Sequence, residues 1–217
     1  MTIKERFKLT IEFFLINQPV AETELTYQDP FELIVAVILS AQCTDKRVNM
    51  ITPALLEKYP DAESMSKAEP EDIFEYIKSC SYPNNKAKHL SGMSRMLVTE
   101  FGGKVPSEPL LLKRLPGVGR KTANVVASVV FRKPVMAVDT HVFRVSNRIG
   151  LVKNAKTPLI VEIQLSNHIP PELIHLAHHW LILHGRYVCK ARNPLCSKCG
   201  LTDFCKYYNE KVKKNKT

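Results

Sequence analysis

The stretch Leu115-Pro116-Gly117-Val118-Gly119-Arg120-Lys121-Thr122-Ala123-Asn124 decides how the rest of the chain is read. Two glycines stand two apart, after a proline and before a long apolar run. Glycine carries no side chain and tolerates positive φ, so such a turn lets one backbone pass close to another. The run Thr122 to Phe131 is almost all apolar and predicts a buried helix. The first turn of that helix leaves N–H groups unpaired, and the aligned peptide dipoles put partial positive charge there. Turn, glycines and helix start together make a seat for a phosphate. A second helix is expected before the turn, over Ser107 to Leu115.

Moving outward, Lys121 follows the second glycine by two residues, and Asp139 comes eighteen residues later in Val138-Asp139-Thr140-His141-Val142. A lysine at a helix start is ordinarily a solvated charge or a phosphate contact. Here the helix N-terminus, Arg120 and Lys133 disfavour the ammonium and should supply the neutral amine that a lysine nucleophile needs. Asp139 stands before a predicted helix through Ile149, where Asp is a preferred N-cap. A carboxylate held by N–H groups stays ionised and can stabilise developing positive charge, so the two roles are compatible. His141 needs no special explanation in a first helical turn.

Four cysteines close the pattern with the spacing Cys189-x6-Cys196-x2-Cys199-x5-Cys205. Zinc held by four cysteines is common, but zinc ribbons bring two close pairs and only Cys196-x2-Cys199 is one. The wider intervals suit a cubane wrapped by one loop. Lys190, Arg192 and Lys198 lie inside these intervals and could grip phosphates. Cys43 and Cys80 fall outside the pattern and read as buried thiols.

Bulk properties agree with such a reading. The 217 residues can form one large domain or two small ones, and the net charge of +10 with a pI near 9.3 favours a polyanionic partner. No apolar run reaches the roughly 18 residues of a membrane span, and Met1 to Arg6 lacks a signal-peptide layout. A cytoplasmic location, with reduced thiols available for metal or cluster ligation, is the expectation. Helical spacing recurs over residues 3 to 18, 31 to 41, 71 to 80, 86 to 101, 157 to 167 and 171 to 184. Another helix runs from Asp45 toward Tyr59, kinked or restarted at Pro53. Val135 to Val138 reads as a buried extended connector. No period-2 strand is visible, so the fold class is all-α.

Helix, glycine hairpin, helix is the layout of the helix-hairpin-helix DNA-binding motif. Hairpin, Lys121, Asp139 and cysteine quartet, in this order, closely resemble the endonuclease III family of base-excision DNA glycosylases with an associated lyase activity. The resemblance runs from about Phe31 to Cys205. It implies two helical lobes with a DNA-binding cleft between them. One is a continuous six-helix lobe over 23–133. The other is discontinuous, 1–22 plus 134–217, and carries a [4Fe–4S] cluster on Cys189, Cys196, Cys199 and Cys205. The breaks at Pro19 and at Lys133-Pro134 fit those boundaries. Lys121 and Asp139 take the family's catalytic positions. Gly117, Gly119, Arg120, Lys190 and Arg192 are the expected DNA contacts. The match Leu39-Ser40-Ala41-Gln42 assigns Gln42 to probing the gap left by a flipped base. The loop before Lys86-Ala87, Ser81 to Asn85, puts Tyr82 at the position that wedges into the opposite strand. It departs from the more usual Gly-aliphatic-Tyr pattern, which bears on opposite-base preference.

The expected activity is therefore removal of oxidised pyrimidines from duplex DNA and cleavage at abasic sites through a Lys121 Schiff base. The expected partner is double-stranded DNA with damaged bases or abasic sites, bound by a monomer and without a membrane. A mismatch- or purine-directed glycosylase of the same fold is the enzyme alternative, and Lys121 argues against it. A non-catalytic helix-hairpin-helix module is the other; it leaves Lys121 with Asp139 unexplained.

Overall fold

The computed structural model describes residues 1–212 of the chain. Residues 213–217, among them Lys213, Lys214 and Lys216, lie outside the described residues. Helices make up the fold, and no strand occurs among the described residues. The chain divides into two compact units, Thr23–Lys133 and Met1–Glu22 with Pro134–Thr217.

In the second of these units, α1 (Ile3–Asn17) opens on a capping box between Thr2 and Glu5. It is tied to distant sequence by specific bonds. The Arg6 guanidinium donates to the carbonyls of Phe204 and Gly150, each at 3.0 Å. Phe14 stacks on Trp180 with ring centres 5.5 Å apart, and the Trp180 indole donates to the Gln18 carbonyl at 2.7 Å. The same core takes α9 (Thr140–Ile149), α10 (Pro158–Ser166) and α11 (Ile174–Tyr187), which a 3-10 turn over Pro171–Leu173 precedes. Met136, Ala137 and Val138 are buried without regular structure, as expected of the connector.

In Thr23–Lys133 the centre is α2 (Pro30–Leu39). Asp29 caps it by accepting the Glu32 N–H at 2.8 Å, and Pro30 occupies the first position. Every residue from Leu33 to Leu39 is buried. Each large aliphatic side chain buried this way contributes about 1.5–3 kcal/mol, which makes α2 the element the others pack around. On it lie α3 (Asp45–Lys58), α6 (Pro83–Phe101) and α8 (Arg120–Val129). Between α3 and α6 come α4 (Ala62–Ser66) and α5 (Pro70–Ile77); α7 (Pro109–Leu112) precedes the hairpin.

Two differences from the sequence expectation have local causes, and the alternative left open at Pro53 is settled. The unit holds seven helical segments rather than six, because Asp61 and Ser64 form a capping box that starts the short α4. α3 continues through Pro53 without a restart, its buried Val48, Thr52 and Leu55 holding both halves on one face. The helix before the hairpin is four residues long instead of spanning Ser107 to Leu115. After Leu112 the backbone closes i to i+3 turns, with Leu115 N–H donating to Leu112 O and Val118 N–H to Leu115 O, both at 3.1 Å.

Candidate functional site

The hairpin glycines have separate duties. Gly117 has φ +79, and a Cβ there would stand 2.8 Å from the His89 Cβ, so both conformation and space demand glycine. Gly119 is the N-cap of α8 with φ −82 and ψ 177, and a Cβ there would meet nothing within 4 Å. No side chain caps α8. Gly119, Arg120 and Lys121 are all exposed. The backbone at the start of α8 is thus open to an anion, with one lysine and one arginine on its first turn. Lys133, expected to add positive charge near Lys121, pairs instead with the Glu108 carboxylate at 2.5 Å. That contact holds the Glu108 carboxyl below the usual carboxylate range.

Gln42 and Tyr82 share one backbone peculiarity. Each has φ +54, a left-handed conformation uncommon outside glycine, and each side chain is exposed. Ser81 Oγ donates to the Gln42 carbonyl at 2.5 Å, and the Cys43 and Cys80 sulfurs lie 3.5 Å apart. Beneath them Lys86, only 5% exposed, donates from Nζ to the carbonyls of Leu39 and Ala41, both at 2.8 Å. Burial lowers its ammonium pKa. A buried charge costs several kcal/mol unless it is well bonded; here the carbonyls ending α2 and the negative end of its dipole supply the partners.

Lys121 belongs to Thr23–Lys133 and Asp139 to the other unit. Asp139 Oδ1 accepts the N–H groups of His141 and Val142, both at 2.8 Å, capping α9 as the sequence implies. Oδ2 faces His141 Nδ1 at 3.1 Å. Burial alone would raise the Asp139 carboxyl. The Val142 N–H, the His141 ring and the fields of His141 and His178 outweigh it and hold the group below its usual range. The carboxylate is therefore ionised at neutral pH. His141 is a partner that sequence reasoning left out; its place two residues after an N-cap Asp was the available signal. Gly185 makes room for it, since a Cβ there would come within 2.8 Å of the His141 Cβ.

The other end of α9 builds the cysteine loop. Arg144 donates to the carbonyls of Gly185 at 2.8 Å and Cys189 at 3.1 Å. Arg148 donates to those of Lys190 at 2.7 Å and Ala191 at 2.9 Å, and its guanidinium lies over the Tyr207 ring at 4.7 Å. Lys190 and Arg192 are left exposed on a loop whose backbone is fixed. No local pattern announces these arginine contacts, because they link residues 41 to 45 positions apart.

Cys189, Cys196, Cys199 and Cys205 line one small cavity, walled by Ile149, Leu201 and Tyr208. All are free thiols. Among the described residues no three His, Cys, Asp or Glu side chains converge on a single ion position. One zinc ion needs its thiolates at about 2.3 Å, so four cysteines spread around a cavity fit a multi-atom iron–sulfur cluster better. Burial, with the other cysteines nearby, pushes the Cys199 thiol up to about 11, and burial raises Cys205 as well. Thiolates held there need cationic iron beside them.

Comparison with known proteins agrees with this geometry. Residues 35–171 match the HhH-GPD superfamily base excision DNA repair protein model, and residues 189–205 match the iron-sulfur binding domain of endonuclease III. The chain is 49% identical over 197 residues to Endonuclease III of Rickettsia conorii, covering 91% of this chain and 93% of that protein. It is 46% identical over 196 residues to Endonuclease III of Bacillus subtilis, covering 90% of each. A solved structure of a trapped endonuclease III–DNA covalent intermediate superposes with a TM-score of 0.92 at 40% identity, covering 98% of this chain and all of that one. With the hairpin, the capped aspartate and the cysteine-lined cavity on the same chain, this protein belongs to the endonuclease III family.

Proposed function

We propose that Lys121 is the nucleophile with which this protein removes oxidised pyrimidines from duplex DNA and then cleaves the strand. The protein is a base-excision DNA glycosylase with abasic-site lyase activity that carries a [4Fe–4S] cluster. The observation that carries the proposal for Lys121 is its place: an exposed lysine on the first turn of a helix whose start no side chain caps.

In the proposed reaction the exposed start of α8 receives a DNA phosphate, with Arg120 beside it. A base inside a duplex is out of reach, so the damaged nucleotide is flipped out; Gln42 and Tyr82 then occupy the space and the opposite strand. The neutral Lys121 amine attacks the sugar C1′ as the C1′–N bond breaks and the base leaves with a proton. The sugar ring opens and the adduct becomes an iminium, a Schiff base. That acidifies the C2′ proton. Its removal expels the 3′ phosphate by β-elimination, cutting the strand on the 3′ side, and water then releases the lysine. Asp139, ionised at neutral pH, stabilises the positive charge that builds on the sugar as the base departs.

Cys189, Cys196, Cys199 and Cys205 would hold the cluster, which fixes the loop bearing Lys190 and Arg192 for phosphate contact. We place the enzyme with the DNA in the cytoplasm, acting as a monomer. Among the described residues no helix is long and apolar enough to cross a membrane.

Borohydride trapping tests the reading. Wild type should give a covalent band on a duplex carrying an oxidised pyrimidine, and Lys121→Ala none. Trapping on an abasic duplex alone would remove oxidised pyrimidines as the substrate. Trapping that persists in Lys121→Ala would remove the lysine as the nucleophile.

A further inference from the structure

We propose that Lys86 is a positioning residue: its buried ammonium makes the Gln42 turn and the Tyr82 turn one unit, so that both side chains meet the DNA together. The proposal rests on the reading of Gln42 and Tyr82 as strand-probing residues. It adds what couples them.

The two turns are far apart in sequence but linked three ways. Lys86 sits in the first turn of α6, four residues after Tyr82, and reaches across 47 and 45 positions to the carbonyls of Leu39 and Ala41. Ser81 Oγ donates to the carbonyl of Gln42 itself. Cys80 touches Cys43 sulfur to sulfur. Each link joins the segment just before or after Gln42 to the segment just before or after Tyr82.

The chemistry of Lys86 suits this task. α2 ends at Leu39, where carbonyls have no partner within the helix and the dipole is negative. An ammonium offers three donors and satisfies at once the Leu39 carbonyl at the helix end and the Ala41 carbonyl in the turn after it. An apolar residue could fill the same space but would leave the buried Leu39 carbonyl without this donor and the Ala41 carbonyl with only the longer bond from Ser81 Oγ at 3.4 Å. With its end fixed, the chain can enter the left-handed conformation at Gln42, a state that persists only when the surroundings over-determine it. Tyr82 has the same φ and is followed by Pro83, whose ring fixes the entry into α6. Holding two such turns in advance saves the ordering that DNA binding would otherwise require.

The test compares two substrates. Excision of an oxidised pyrimidine needs the base extruded and the gap probed; borohydride trapping on an abasic duplex needs no base extruded. Removing hydrogen bonds from a charged group should cut single-turnover excision by roughly 10- to 100-fold in Lys86→Met, and about 3-fold in Ser81→Ala. Abasic trapping should stay within about 2-fold of wild type in both, so the loss is selective. Lys86→Arg, which keeps charge and donors, should recover part of the excision. Gln42→Ala and Tyr82→Ala serve as references. Equal loss of excision and trapping in the Lys86 and Ser81 variants would mean a merely structural role and overturn the proposal. No loss in either would also overturn it. If Lys86→Met does not fold, by thermal melting and visible cluster absorbance of the holoprotein, Ser81→Ala decides by the same two criteria. If Gln42→Ala and Tyr82→Ala leave excision intact, the strand-probing reading fails and takes the proposal with it. If those two lose excision while the Lys86 and Ser81 variants do not, only the coupling fails.

Discussion

α8 and α9 are both ten residues long, and each starts after a residue in extended backbone conformation, Gly119 before one and Asp139 before the other. Their starts are opposites. At α8 the cap has no side chain, the surface is exposed, and lysine and arginine stand on the first turn. At α9 a carboxylate fills the cap, takes two N–H groups and a histidine ring, and is mostly buried. The helix start faces solvent without a side-chain cap in one helix and stabilises an internal anion in the other. An open helix start can bind a phosphate; a closed one can keep a carboxylate ionised.

The sharpest break in this contrast is chemical. Lys121→Ala should abolish borohydride trapping, while Asp139→Asn should still trap on an abasic duplex, and a gel separates the two results. Next, Asp139→Asn should lower excision by about 10²-fold, as loss of an electrostatic stabiliser does. Asn caps helices nearly as well as Asp, so in a thermal melt Asp139→Asn should lose only the stability that the ionised carboxylate adds, whereas Asp139→Ala should also lose about 1 kcal/mol from the cap. The pH dependence follows from the direction of the Asp139 shift. Its folded carboxyl titrates below the ordinary value of about 3.9. The stability it contributes is complete above that value and is lost as pH falls through the lower, folded one. Acid denaturation curves of Asp139→Asn should lack that component.

The glycines sharpen the comparison from the backbone side. Gly117→Ala should cost about 1–2 kcal/mol from positive φ alone, and more through His89. Gly119→Ala should cost less than about 1 kcal/mol in a thermal melt, yet weaken DNA binding, because its Cβ would project into the open space. The smallest effect belongs to the cysteine loop. Arg192→Ala should reduce the slope of log affinity against log salt by about 0.9, one phosphate contact, in a fluorescence titration.

Much of the open helix start could be read in advance. Two glycines, a proline and an apolar run fix a short turn before a buried helix, and Asp139 announces its own cap. Four cysteines in seventeen residues announce a metal-binding loop. What escaped was set by tertiary contact. Lys86 lies in a polar stretch, Asn84-Asn85-Lys86, and nothing local says that its side chain turns inward to carbonyls more than forty residues away. The positive φ of Gln42 and Tyr82 is equally silent, because neither is glycine. α4 was missed because five residues carry too little periodicity to register, although Asp61 and Ser64 hold the capping pattern. Arg144 and Arg148 look like one more charged helix face until the carbonyls they hold are seen.

The bonds from Arg6 to Phe204 and from Trp180 to Gln18 join residues 198 and 162 positions apart. During synthesis, at about 5–20 residues per second, α1 therefore leaves the ribosome roughly 10 to 40 s before its last partners exist. The stretch Thr23–Lys133 is continuous and can close while the remainder is still being made. Phe7 and Phe14 must wait in the open for that interval. α1 is thus made long before it can be buried, and until then its apolar face is open to proteases and chaperones.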